Sequence, residues 1–419
     1  MYSFLKKEKI IIINNFLGGK EKMVIKPRLK GGLALTNHPI GAKEFVKRQI
    51  DYVKSQDKYE GPKKVLIIGS SSGYGLATRI SLAFGAGAET IGVAFEKGIE
   101  GKRTGSAGWW NSIAFKEAAK KEGIFAKNFI GDAFSMEMKD EVIKFIKEEF
   151  GGKIDLLIYS LASAVRTDPI DGVTYRSALK STTKDITGPT INFEKEIMEE
   201  TTMGVATPEE IKSTIKVMGG EDWKLWIEAL DKGGVLSEGF KTVAYSYLGP
   251  KVTYGIYKEG TIGAAKRDLE HTSDVLNDFL KQRYNGEAYV SLSKALMTKA
   301  SAVIPIFPLY AALLYKVMKE KGIHEGTIQQ KHRLLTKMVY GNEPVIDEER
   351  RLRPDNWEMR EDVQAEVEAL WDKVTPENFK EISDYAGARE EFMQLNGFDF
   401  DNVDYDADID LDELAKLKP

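Results

Sequence analysis

The stretch Lys64-Val65-Leu66-Ile67-Ile68-Gly69-Ser70-Ser71-Ser72-Gly73-Tyr74-Gly75 decides how the rest of the chain is read. KVLII is the short, continuously apolar run that a strand covered on both faces requires. It enters a glycine-rich turn without a spacer, and Leu76 to Phe84 then reads as a helix. In that setting backbone amides can approach a diphosphate, and the helix N-terminus adds a favourable dipole. Gly69 suits the tight turn, Gly73 the close approach and Gly75 the packing of helix on sheet. The spacing is G-x-x-x-G-x-G, not the more familiar G-x-G-x-x-G. A structural turn that holds no ligand is the competing reading.

Outward from this unit, strands and helices alternate. A helix from Ala42 to Gln56 precedes it and stops at Gly61-Pro62. A strand from Glu89 to Phe95, a helix from Asn111 to Lys121 and a strand from Ala126 to Ile130 follow. A helix from Lys139 to Phe150 leads to a strand from Ile154 to Tyr159, which ends at Ser160-Leu161-Ala162. This order predicts an α/β fold: a Rossmann-type doubly wound parallel sheet with right-handed crossovers and helices on both faces. From residue 163 to about 239 the pattern loosens, as in an insertion. Thr207-Pro208-Glu209-Glu210 within it is a helix start, with a capping threonine, proline at the first position and glutamate at the third. Trp223 and Trp226, three apart on a helix, read as core. A strand from Ala288 to Leu292 precedes an apolar helical segment reaching Met318. Residues 325–419 read as a charged helical extension packed on the same 23–324 domain.

Composition narrows the chemistry. The chain has 419 residues, 60 basic and 64 acidic side chains and a net charge of −4. A nucleic-acid-binding protein would usually carry a basic excess. No cysteine is present, which excludes disulfides, cysteine nucleophiles and metal centres built on thiolates. His38, His271, His324 and His332 are scattered without ligand spacing, so no metal is expected, and His38 reads as structural. The acidic run Asp399 to Glu413 lacks the glycine and glutamate of a calcium loop and reads as a solvated face. No apolar stretch approaches the ~20 residues of a membrane span; Ile304 to Met318 is broken by Pro305, Pro308 and Lys316. Residues 1–22 have no secretory pattern: Ile10–Ile13 runs straight into Asn14-Asn15. They read as an extension before Met23, and the protein as cytoplasmic.

Candidate site residues cluster at strand ends, where an open parallel sheet binds its ligand. Glu96 lies 21 residues after Gly75, at the end of the second strand. A carboxylate there accepts from adenosine ribose hydroxyls and repels a 2′-phosphate, favouring NAD over NADP; a surface glutamate is the alternative. Asp132-Ala133 and Leu161-Ala162 end later strands. Further on, KTVAYSYLGPKVTYGIYKEGTIGAAK (241–266) holds four tyrosines and ends on Lys266. Tyr257 and Lys266 are nine apart, so a continuous helix would turn them to different sides; Gly260 offers a break. A phenol of pKa near 10 needs a nearby ammonium to work as an acid or base at neutral pH. Spacing alone does not separate that pair from core tyrosines and a surface lysine.

The chain from Met23 onward resembles the trans-2-enoyl-CoA reductase family, including the FabV-type enoyl-acyl-carrier-protein reductases. These are large relatives of the short-chain dehydrogenases marked by Tyr-x8-Lys. The resemblance rests on KPRLKGGLALTNHPIGA (26–42), GSSSGYGLATRI (69–80), GSAGWWN (105–111), YSLAS (159–163) and VMGGEDW (217–223). It continues through AYSYLGPKVTYGIYKEGTIGAAK (244–266), SLSKALMTKASAVIPIFPLY (291–310) and LNGFDFDNVDY (395–405). It implies Tyr257 as proton donor, Lys266 as a catalytic and cofactor-binding residue, and Tyr247 as the residue that holds the substrate carbonyl. Implied NAD contacts are Gly69, Ser70, Ser71, Ser72, Gly73, Tyr74, Phe95, Glu96, Asp132, Ala133, Leu161, Ala162, Leu296, Met297 and Thr298. Family members carry Ala-Pro where this chain has Ser163-Ala164, a difference in the adjoining wall and not in the chemistry.

The implied reaction is NADH-dependent reduction of the C2–C3 double bond of a trans-2-enoyl thioester, carried by coenzyme A or acyl carrier protein. The segment 296–318, and Ile304 to Leu314 above all, would cover the acyl chain; a plain core helix is the alternative. The insertion and the C-terminal extension cover surfaces that simpler relatives use for tetramers, so a monomer is expected. Competing functions are a short-chain dehydrogenase acting on a ketone or alcohol, and a dinucleotide-sensing protein without turnover.

Overall fold

Val65, Leu66, Ile67 and Ile68 are wholly buried, as a strand covered on both faces demands. The computed structural model describes residues 23–101, 103–161 and 163–419. The expectations placed on residues 1–22 and on Ala162 lie outside the described residues. In chain order come a short hairpin, β1 (Leu29–Lys30) and β2 (Leu33–Ala34), then α1 (Pro39–Lys54), β3 (Lys64–Ile68), α2 (Gly73–Ala86) and β4 (Glu89–Ala94). These lead to α3 (Ala107–Lys121), β5 (Ala126–Ile130), α4 (Met136–Glu149) and β6 (Ile154–Tyr159). Two hairpins follow, β7 (Val165–Thr167) with β8 (Thr174–Arg176) and β9 (Ile186–Asn192) with β10 (Ile197–Met203). The chain returns through α5 (Pro208–Met218), α6 (Glu221–Gly233), β11 (Leu236–Ser246), α7 (Tyr254–Tyr257), α8 (Thr261–Tyr284) and β12 (Glu287–Leu292).

Six strands form one parallel sheet in the order β12-β11-β6-β3-β4-β5. Strand order reverses between β3 and β6, which puts a crevice at their carboxyl ends. The 163–239 region is not wholly an insertion. Its first part forms the two hairpins, but α6 lies on the sheet with Trp223 and Trp226 wholly buried, and β11 begins at Leu236. The sequence pattern hides β11 because its register shifts between Leu236 and Lys241, at Gly239 (φ +71°); such a bulge breaks the alternation that a strand reading needs. The Thr207 helix start is confirmed: Thr207 Oγ1 accepts from Glu210 N (3.2 Å) and Glu210 Oε2 accepts from Thr207 N (2.9 Å).

The C-terminal part is α9 (Phe307–Glu320), α10 (Thr327–Arg333), α11 (Glu361–Trp371), α12 (Phe379–Ile382) and α13 (Tyr385–Gln394). Residues from α9, α11, α12 and α13 join one buried cluster with Tyr247 and Tyr257. Leu352 covers the edge strand, donating N–H to Val290 O and accepting from Leu292 N, both at 2.9 Å. His38 caps α1, its Nδ1 accepting from Gly41 N at 3.2 Å. The acidic run is only partly a solvated face. Asp408 accepts from Met23 N (2.7 Å), Asp406 pairs with Lys26 (2.5 Å) and Asp401 pairs with Arg48. Among the described residues, no helix is long and apolar enough to cross a membrane.

Candidate active site

The glycine turn takes its shape from close contacts. Gly69 has φ +84°, and a Cβ there would stand 2.2 Å from Ser160 O. A Cβ on Gly75 would stand 2.0 Å from Gly69 O. Gly73 (φ +52°) opens α2, and a Cβ there would meet only Thr298, at 3.7 Å. Ser72, the cap of α2, places no side chain on the first amides of the helix. Those amides therefore remain available to an anion. What the turn presents is backbone: Tyr74 points inward, edge-on to Tyr245 (5.6 Å) with Lys331 Nζ 4.2 Å from its ring centre. Ser70 Oγ donates to Val93 O at 3.3 Å.

At the end of β4, Glu96 is already held. Ser71 Oγ donates to Oε1 at 2.5 Å and Ser106 Oγ donates to Oε2. Phe95 beside it is 71% exposed. Burial pushes the Lys299 ammonium below its usual range, while the charge of Glu96 pulls the other way. Asp132 Oδ1 accepts from Phe134 N at 2.9 Å; Ala133 O accepts from Trp226 Nε1 and Lys139 Nζ, both at 3.1 Å. Leu161, half-buried, follows Ser160, whose carbonyl abuts Gly69. From the end of β12, Leu296 and Met297 are buried, Met297 N donating to Tyr315 Oη at 2.8 Å, and Thr298 faces Gly73.

The break expected at Gly260 is real. Tyr257 ends α7, Gly260 caps α8, and Lys266 sits in the second turn of α8. Lys266 Nζ has one weak contact among the described residues, Tyr245 O at 3.5 Å. Burial lowers its pKa to about 8, against a small opposing effect of Glu270. Tyr257 is buried, its ring edge-on to Tyr247 at 4.6 Å, and its hydroxyl makes no hydrogen bond among the described residues. Burial raises the Tyr257 phenol, and the charge of Glu358 adds to that. Tyr247 is not free: its hydroxyl donates to Glu358 Oε1 at 3.1 Å.

The 304–314 segment divides in two. Phe307 closes on the tyrosine pair, 6.2 Å from Tyr247 and 6.5 Å from Tyr257. Leu309 to Leu314 are wholly buried core. Ile306, at the bend before α9, has φ +69°, a strained value for a branched residue. Sequence reasoning missed Glu358, Tyr310 and Lys299. Glu358 carries no motif, whereas Tyr310 and Lys299 lie inside the family-like run 291–310.

The chain matches the family model described as the trans-2-enoyl-CoA reductase catalytic region over residues 103–340. This chain belongs to the trans-2-enoyl-CoA reductase family. Residues 24–101 match that family's NAD(P)H binding domain. The NADH-dependent trans-2-enoyl-CoA reductase of Clostridium beijerinckii is 56% identical over 95% of this chain and all of its own length. An NADH-dependent enoyl-acyl-carrier-protein reductase of Photobacterium profundum is 52% identical over 94% of this chain and all of its own. The crystal structure of the Clostridium acetobutylicum trans-2-enoyl-CoA reductase in complex with NADH superposes with a TM-score of 0.93 at 53% identity, covering 95% of this chain and all of that one. Residues 346–409 match a model described as an enoyl reductase FAD binding domain. That segment of the family member has no strand–glycine turn–helix unit. Its Phe379, Tyr385, Phe392 and Phe398 are spent on buried packing, so it does not fit a flavin and no step is derived through one.

Proposed function

We propose that this protein reduces the C2–C3 double bond of trans-2-enoyl thioesters with NADH, the acyl chain being carried by coenzyme A or acyl carrier protein. The observation that carries this reading is the pairing of Tyr257 with Tyr247, just past the end of β11, at 4.6 Å between ring centres, with Lys266 Nζ 3.5 Å from Tyr245 O of the same strand. The site residues fit a dinucleotide. The Gly69–Tyr74 turn offers backbone amides, Glu96 and Phe95 flank the adenosine side, and Asp132-Ala133, Leu161 and Leu296-Met297-Thr298 line the remaining strand ends. Lys266 supplies an ammonium with no paired carboxylate among the described residues. When bound, the cofactor supplies the hydride for C3. The chain's own task is then to stabilise the negative charge that develops on the thioester oxygen and to deliver a proton to C2. Phenol donors placed at that oxygen favour the enolate over the ground state. Tyr247 holds the thioester oxygen, Tyr257 is the acid, and Lys266 grips the ribose and lowers the cost of the Tyr257 phenolate. Phe307 and the bend at Ile306 exclude water beside the pair.

Residues 23–324, with 325–419 packed on them, are read as one catalytic unit, and the enzyme as a cytoplasmic monomer. Capping of the β12 edge by Leu352 supports the latter. A ketone or alcohol substrate is not favoured, because relatives above half identity are named enoyl reductases. The test is Tyr257→Phe, with folding checked by circular dichroism and crotonyl-CoA and an enoyl-carrier-protein as substrates. Loss of NADH oxidation by roughly 10²–10⁴-fold is expected; turnover at the wild-type rate overturns the assignment.

A further inference from the structure

The C-terminal extension carries a carboxyl group to the back of the site. Glu358 lies between the turn Pro354–Trp357 and α11 and is wholly buried. Its Oε1 accepts from Tyr247 Oη at 3.1 Å and Tyr310 Oη at 2.7 Å, and its Oε2 accepts from Ala295 N at 2.7 Å. No cation pairs with it among the described residues. Lys294, after β12, acts on it through charge alone; Asp355 on its own turn opposes ionisation, as does burial, which is the largest influence. Tyr74 and Tyr257 feel its charge. From α11, Gln364 Nε2 donates to Glu358 O (2.7 Å) and Tyr310 Oη (3.2 Å), fixing the cluster from behind.

The hydrogen-bond polarity of this cluster has two states. Oε2 faces a backbone N–H, which can only donate, so a proton on the carboxyl belongs on Oε1. There it must donate to one of the two phenols, whose own hydrogen is then released. For Tyr247 that hydrogen is released beside Tyr257, whose ring lies 4.6 Å away. As a carboxylate, Glu358 instead holds the Tyr247 hydrogen on itself, away from any substrate.

We propose that Glu358 is a positioning residue for the reduction, acting through Tyr247: in its acid form it donates to Tyr247 Oη and frees the Tyr247 O–H to donate to the thioester oxygen. This rests on the function proposed above. Burial places the switch in the working range, the Glu358 carboxyl being pushed up to about 7.

The experiment compares kcat for crotonyl-CoA and NADH between about pH 6 and pH 8 in wild type, Glu358→Gln and Tyr247→Phe, with folding checked by circular dichroism. Wild-type kcat is expected to fall about tenfold across that range, as the acid form is lost. In Glu358→Gln the amide oxygen accepts from Ala295 N and the amide NH2 donates to both phenols at every pH. Its kcat is therefore expected to lose the fall centred near pH 7, keeping only the shallower one toward pH 8 that deprotonation of Lys266 brings, and to exceed wild type several-fold at the alkaline end. A Glu358→Gln variant that keeps the wild-type fall overturns the proposal. If that variant fails to fold, Tyr247→Phe decides: loss of the fall centred near pH 7 is expected, with only the shallower Lys266 fall toward pH 8 left, and a retained fall near pH 7 overturns the proposal. Infrared titration of the wild type adds a readout without turnover, since a carboxylic-acid carbonyl band should vanish near neutrality. A wild type inactive on every enoyl thioester overturns the function itself and this proposal with it, whereas active wild type with an unchanged Gln profile overturns this proposal alone.

Discussion

Replacing Lys266 by methionine should make the protein more stable and the enzyme inactive. The ammonium stands in the site with one carbonyl contact at 3.5 Å, and burial lowers its pKa from 10.5 to about 8. At about 1.36 kcal/mol per unit, that shift of roughly 2.5 units is about 3 kcal/mol of stability forgone at neutral pH, an upper bound because relaxation and water reduce desolvation. Its sign follows from linkage. The folded pKa is depressed, so the penalty is fully present below about pH 8 and is relieved as pH rises toward 10.5, where the unfolded chain also loses its proton. Methionine keeps the length and apolar stem without the charge. Urea unfolding of Lys266→Met at pH 7 should give a stability about 1–3 kcal/mol above wild type, the gap closing between about pH 8 and pH 10.5. NADH oxidation with crotonyl-CoA should be lost in the same variant, because the ribose and Tyr257 lose their cation. A Lys266→Met protein less stable than wild type at pH 7 refutes the reasoning, since it would mean that the ammonium is stabilised by its surroundings.

At the other end of the crevice, Glu96→Ser removes the carboxylate held by Ser71 and Ser106 and leaves Lys299 without its countercharge. The ratio of kcat/KM for NADPH over NADH should rise about tenfold or more, since a 2′-phosphate no longer meets an anion; initial rates with both cofactors measure it, and an unchanged ratio removes Glu96 from the cofactor site. Gly69→Ala must place a Cβ 2.2 Å from Ser160 O at a φ of +84°. A loss of about 2 kcal/mol or more in urea unfolding is expected, with weaker NADH binding by fluorescence titration; a wild-type midpoint would show that the turn can relax.

Where the sequence could be read, the reason is local. KVLII forms β3 because a strand covered on both faces must be apolar at each position, and the glycine turn follows because a Cβ would strike neighbouring carbonyls. The Thr207 start and the helical tryptophans Trp223 and Trp226 depend on neighbours within a turn or two, which sequence displays. β11 is hard to read in sequence because one bulge at Gly239 erases its period, and α6 with the start of β11 places the last part of the 163–239 region on the sheet. The apolar run 304–314 could not be divided in advance: Phe307 and Leu309 are equally hydrophobic, and only packing shows which meets the tyrosines and which meets the C-terminal helices.

By itself the sequence determined the doubly wound sheet, the glycine turn, Glu96 after the second strand, and the Tyr257–Lys266 spacing with a break at Gly260. Each is a pattern of adjacent residues whose geometry is set by the backbone. Only the tertiary structure decided what surrounds the phenols. Glu358 is 111 residues from Tyr247 in the chain, and no local rule links a carboxylate in a polar segment to a tyrosine at a strand end. Folding brings them together in the interior, where burial, with no cation paired among the described residues, raises the carboxyl to about 7.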